Sequence, residues 1–142
     1  MLRSSILVRS TPPPMKPAEA RRVISLLARR FLVRRQTVTA VFGDDAMLRD
    51  LNRRYRRSNR PTDVLSFASG EPSHLGDIVI STDAARRQAR SVHRSVEEEA
   101  RMLLIHGFLH LLGYDHEVDD GEMELLERTL RWELCRGEGR AH

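Results

Sequence analysis

The chain has 142 residues, 40% hydrophobic and 31% charged, which suits one domain with a real core and argues against wholesale disorder. Its 24 basic residues, all arginine except Lys16, outnumber 20 acidic ones for a net charge of +4; an anionic partner such as nucleic acid is permitted, and solvated arginines are the plainer reading of the same bias. The single cysteine, Cys135, excludes an internal disulfide and a Cys-rich zinc ribbon. No apolar run approaches the roughly 18 residues of a membrane span, and residues 1–10 lack the apolar core of a secretory signal, so a cytoplasmic location is expected.

Residues 5–9 read as an edge strand, broken by Pro12, Pro13 and Pro14. Pro17 suits the first turn of a helix, and residues 18–33 put Ala20, Val23, Ile24, Leu27 and Phe31 on one face. Residues 36–42 alternate and are rich in β-branched side chains, which predicts a strand. Asp44 or Asp45 then caps a helix over 46–57, with Met47, Leu48, Leu51 and Tyr55 as its apolar stripe. After a loop at 58–61, strands are expected at 64–68 and 76–81, with a turn at 69–73 between them. Ser81 or Thr82 caps a helix to about residue 92. Ser95 and Glu98 form a capping box for a helix running to about Leu112. Asp119 or Asp120 caps a last helix to about Cys135, leaving 136–142 as a frayed tail. About four strands interspersed with five helices predict an α+β fold, a small sheet covered by helices in one domain.

The helix ending near Leu112 carries the strongest chemical signal. From Met102 onward it is apolar nearly all round, which marks a central buried helix. His106 and His110 interrupt it, and their spacing stacks them on one face. Buried imidazole nitrogens need partners, so this pair is hard to read as mere packing. Gly113 follows, able to turn the chain back through a left-handed conformation, and His116 comes three residues later. Three neutral imidazoles with an open position for water make the pattern of a catalytic zinc site, where a hydroxide forms near neutral pH. The same spacing occurs in metzincin proteases. Those need a glutamate directly after the first histidine as general base; here it is Gly107, which disfavours a protease.

The run His106-Gly-Phe-Leu-His-Leu-Leu-Gly-Tyr-Asp-His116 resembles the signature of the YbeY family, bacterial endoribonucleases of rRNA maturation. Leu51-Asn-Arg-Arg-Tyr-Arg56, Pro61-Thr-Asp-Val-Leu-Ser-Phe67 and Leu75-Gly-Asp-Ile78 are similar to further family segments and stand in the family's order. The likeness covers residues 51–116; up to about Val41 only the helix and strand pattern matches. Many members carry proline after the Leu-Ser-Phe segment, where this chain has Ala68. The resemblance implies a small mixed four-stranded sheet with the histidine helix central, a zinc held by His106, His110 and His116, and Arg56 as the essential basic residue of the cleft. Arg56 and His106 are thus the expected catalytic residues. It also implies cleavage of single-stranded RNA, a role at the 3′ end of small-subunit rRNA and in ribosome quality control, and a ribosome or ribosomal-protein partner.

The residues agree with that reading of Arg56. Phosphodiester cleavage builds negative charge that a fixed guanidinium can clamp. Arg53, Arg54, Arg57 and Arg60 would add positive charge for an RNA backbone, or simply form a solvated face. Asp115 is a candidate to orient a metal-bound histidine, and Asp63 and Asp77 are candidates for the cleft wall. His74 and His93 read as loop and surface residues, Trp132 and Tyr114 as packing. Aromatics are 5% of the chain, so shape and phosphate contacts are expected to outweigh base stacking. Three imidazoles also suit nickel, cobalt or copper. A second reading is a ribosome-assembly factor binding rRNA or protein, its zinc mainly structural; an open metal position argues against it.

Overall fold

The computed structural model describes residues 3–56, 62–114 and 121–139, the side chains of Arg56 and of residues 135–139 excepted. In chain order these residues form β1 (Arg3–Val8), α1 (Pro17–Arg30), β2 (Thr37–Gly43), α2 (Asp45–Arg56), β3 (Val64–Glu71), β4 (His74–Ser81), α3 (Thr82–Ser91), α4 (Val96–Leu111) and α5 (Glu122–Gly139). The strands pair in the order β1-β2-β4-β3. β1 and β4 lie parallel to β2, and β3 lies antiparallel to β4. This is the expected α+β arrangement of a mixed four-stranded sheet and five helices.

Alternation along the two central strands divides the core. Ala40 stands beside Ile78 and Phe42 beside Ile80; with Val38 they turn to one face and meet Val23, Ile24 and Leu27 of α1, Leu104 and Phe108 of α4, and Met123 and Leu130 of α5. Val41 and Val79, one residue out of phase, turn to the other face and join Leu65 and Leu48 of α2 in a smaller cluster. α4 touches α1, α3, α5, β3 and β4, which is why its sequence from Met102 onward is apolar nearly all round. Its one buried arginine, Arg101, stands 3.6 Å from Glu19 of α1.

Three helices end in the same way, and only one of the endings is visible in the sequence. After α4, Gly113 takes φ +98°, its N–H donates to the carbonyl of His110, and Tyr114 N–H donates to Leu109. That is a Schellman turn with glycine in the left-handed position. α1 closes with the same pattern of bonds, Leu32 to Arg29 and Val33 to Ala28, with Leu32 at φ 58°. α3 closes with Arg94 bonded to Ala89 and His93 at φ 52°. The apolar period predicts α1 to residue 33, but the chain leaves the helix at Arg30 because Leu32 adopts a conformation that glycine normally supplies. Leu32 is 71% exposed, so Leu32→Gly should raise stability by about 1 kcal/mol, measured as an upward shift in thermal melting.

Other boundaries also move. α5 runs to Gly139, past the frayed tail expected from residue 136; Gly137 and Gly139 lower helix propensity without the steric block of a proline. β3 extends through Glu71 and β4 begins at His74, so that histidine is a half-buried strand residue, not a loop residue. Its ring meets Thr37 Oγ1 at 2.5 Å and Asp77 Oδ1 at 2.9 Å. Trp132, expected as a packing residue, is 61% exposed on α5, whereas Tyr114 packs edge-on near Phe31 at 6.4 Å between centroids. Tyr55, placed by periodicity on the apolar stripe of α2, is 66% exposed; α2 runs past the buried patch before reaching it, and its ring leans on Phe67 at 5.6 Å.

The start of α2 is fixed by two aspartates with different duties. Asp44 is the cap, its Oδ1 accepting the Met47 N–H at 2.8 Å. Asp45 ties α2 to α3: it accepts from Ser81 Oγ at 2.7 Å and from Arg87 Nη1 at 2.6 Å, and its N–H donates to Asp83 at 2.9 Å. The Arg87 guanidinium, helped by Ser81 and against the effect of burial, holds the Asp45 carboxyl below its ordinary value of 3.8. A lowered folded value means that this contribution to stability is complete above the ordinary value and fades as pH falls through the folded one. Asp45→Asn should therefore melt below the wild type at neutral pH, and the gap should close in acid.

Candidate active site

The helical spacing expected to align His106 and His110 does so. Their rings lie 4.6 Å apart at 64°, and the two Nε2 atoms face each other at 3.0 Å. Both line a cavity of about 250 Å³ together with Asn52 of α2, Thr62, and Val64 and Ser66 of β3. α5 closes the far side of the first ring, where His106 Nδ1 stands 3.2 Å from Glu127 Oε1.

Gly107 explains how close the histidine helix lies to the sheet. A Cβ there would come 2.5 Å from Ile78 Cγ2, 3.1 Å from Ser66 Oγ and 3.2 Å from Val64 Cγ2. Ser66 Oγ meanwhile donates to the Gly107 carbonyl at 2.8 Å. α4 thus rests its backbone on β3 and β4, and the neighbouring histidines are held at the edge of that contact. A glutamate at this position would be driven into the strands, so the protease arrangement has no room here.

The other expected site residues are placed as follows. His116 and Asp115 lie outside the described residues, as do Arg57 and Arg60; what is described is the Gly113 turn that leads toward His116. Arg56 is the last residue of α2, one turn beyond Asn52, with its side chain outside the description. Arg53 and Arg54 are exposed and lean on Asp50 at 3.0 and 3.2 Å. Asp63 accepts from Gln88 Nε2 at 2.9 Å, and its carbonyl accepts from Ser81 N–H at 2.8 Å, so it anchors the entry to β3 on α3. Asp77 does not line the cavity of His106 and His110; it stands beside His74, in a groove shared with Tyr55 and Phe67 under α2. Among the described residues no three His, Cys, Asp or Glu side chains converge in a metal-binding group.

Asn52 and Glu127 were not singled out by the sequence reading. Asn52 carried a usable signal: it stands four residues after Leu48 on the inward side of α2, and it is 6% exposed. Glu127 carried none, because its contact spans 21 residues and depends on how α5 docks.

The histidine pair suits a metal. Two imidazole nitrogens bound to one tetrahedral zinc at about 2.0–2.1 Å sit roughly 3.3 Å apart, close to the 3.0 Å seen here. Imidazole nitrogen is a donor of the kind zinc takes.

A sequence model of the family described as Endoribonuclease YbeY matches residues 15–132. The chain belongs to the YbeY family. The match takes in α1 and β2 as well as the segments around the cavity. A protein named Endoribonuclease YbeY from Solibacter usitatus is 43% identical over 131 residues, covering 92% of this chain and 88% of that protein. YbeY proteins from Koribacter versatilis and Aquifex aeolicus are 50% and 53% identical, over stretches covering 72% and 61% of this chain and 66% and 60% of those proteins. The solution structure of a Thermotoga maritima protein superposes with a TM-score of 0.65 at 27% identity, covering 99% of this chain and 93% of that one. Among the described residues, no helix of this YbeY-family chain is long and apolar enough to cross a membrane.

Proposed function

We propose that this protein is a metal-dependent endoribonuclease that cuts single-stranded RNA and acts on rRNA, at the 3′ end of the small-subunit RNA, in the cytoplasm. The observation that carries the reading is the convergence of two imidazole Nε2 atoms at 3.0 Å on a cavity of a YbeY-family chain. His106 and His110, with His116, would hold a zinc ion, and nickel or another divalent metal fits the same donors. When bound, the metal supplies a Lewis acid for a phosphate oxygen and lowers the pKa of water.

The chain's own groups divide the remaining work. Arg56, one helical turn after the cavity residue Asn52, is the group to clamp the phosphate oxygens as charge develops on them. Asn52, Thr62 and Ser66 give the cavity wall polar atoms that suit a sugar-phosphate chain rather than an apolar ligand. Arg53 and Arg54 are exposed on the same helix, where they add sequence-independent attraction to the backbone. Arg57 and Arg60 would extend that charge, and Asp115 would orient a histidine.

Purified protein on matched single-stranded and duplex RNA tests the proposal. Cleavage of the single strand is the expected result. A 2′,3′-cyclic phosphate on the products would indicate attack by the RNA's own 2′-hydroxyl, and a plain 5′-phosphate would indicate hydrolysis. Specific rRNA binding without cleavage by metal-loaded protein would replace the nuclease reading with that of an assembly factor.

A further inference from the structure

The metal reading leaves open what decides which nitrogen of His106 is offered to the cavity. A neutral imidazole carries one N–H and one lone pair, and either nitrogen can hold the proton. Among the described residues the ring meets Glu127 on one side and His110 on the other. Nδ1 faces Glu127 Oε1 at 3.2 Å and Nε2 faces His110 Nε2 at 3.0 Å. A carboxylate only accepts, so the contact with Glu127 places the proton on Nδ1. The lone pair is then on Nε2, which points at the second histidine.

We propose that Glu127 is the positioning residue of the histidine pair: its carboxylate takes the Nδ1–H of His106 and thereby fixes the Nε2 lone pair toward His110 and the cavity. Its placement suits that role. Its side chain is 15% exposed, against 27% for His106, so little water competes for the bond. α5 holds Glu127 there through Met123 and Leu130, which are buried in the main core on either side of it. The bond therefore links the docking of a C-terminal helix to the chemistry of a residue on the central one. Imidazoles that bind metals usually donate the other ring N–H to such a partner, which orients the ring and makes it a stronger donor. The inference rests on the metal reading for its purpose, but the proton's position is a property of the protein without metal.

The test compares wild type, Glu127→Gln and Glu127→Leu. Nitrogen-15 NMR of the metal-free proteins reports the tautomer of His106, and competition with a chromophoric chelator reports zinc affinity. Circular dichroism and melting temperature check that each variant folds. Wild type should hold His106 as the Nδ1–H tautomer. Glu127→Gln should keep it, because the amide oxygen still accepts, and should lose a smaller part of the zinc affinity with the charge. Glu127→Leu should release the tautomer preference and bind zinc about 10–100-fold more weakly. A folded Glu127→Leu protein with the same tautomer as wild type overturns the assignment, leaving Glu127 as a packing contact. If wild type shows the tautomer but takes up no zinc, the metal reading fails while the role of Glu127 in fixing the proton stands.

Discussion

His110→Ala is expected to lose bound metal and RNA cleavage together, whereas Arg56→Ala is expected to keep the metal and lose cleavage by about 100–1,000-fold. The two variants separate holding the metal from stabilising charge on the phosphate. His110 is half-buried at a cavity wall rather than in the core, so its truncation should leave the fold in place. It would leave His106 facing the cavity without its 3.0 Å partner. A metal held by fewer protein ligands is released readily, and mutation even of outer partners commonly costs 10–100-fold in affinity. Arg56 is not among the expected ligands, so metal content measured on the same samples should match wild type. If wild type, His110→Ala and Arg56→Ala cut RNA equally, the activity belongs to a contaminant.

Gly107→Ala should destabilise the protein even though alanine is the better helix former. Glycine in a helix interior costs about 1 kcal/mol relative to alanine, so on an open surface the substitution would help. At this position the new methyl would start 2.5 Å from Ile78 Cγ2. Ile78 is fully buried and β-branched, so it has no free rotamer into which to retreat. Overpacking of this kind costs typically 1–3 kcal/mol and sometimes more. The displacement would also strain the bond from Ser66 to the Gly107 carbonyl. A net loss of roughly 1–2 kcal/mol corresponds to a fall in melting temperature of about 2–8 °C for a chain of this size. Gly107→Glu should fail to give a folded, peptide-cleaving protein. A Gly107→Ala protein that melts at or above wild type would mean that α4 can lift from the sheet without cost.

The core of the fold was legible because it obeys simple periods. Alternation marks β2, and the apolar character of α4 from Met102 onward marks it as central; both follow from burial, which sequence records directly. The ends of elements were legible only where the residue matched the local geometry. Gly113 announces its turn, while Leu32 and His93 make the same turn without announcing it. At the site, the His106–His110 pairing follows from helix spacing alone. Asn52 required knowing which side of α2 faces the cavity. Glu127 required the docking of α5, which no local pattern encodes.

The enclosure of α4 has a consequence for motion as well as for stability. Amide hydrogens in its middle turns, that of His106 included, are covered by α1, α3, α5 and two strands. Their exchange with deuterium should follow global unfolding, while β1, at one edge of the sheet with alternate residues exposed, should exchange through local openings. His106 therefore rides on the slowest-opening part of the molecule, with His110 one turn further on, in the last turn of the same helix. Any adjustment around the cavity would then fall to elements outside that helix, such as α2 with Asn52, with α4 as the fixed reference.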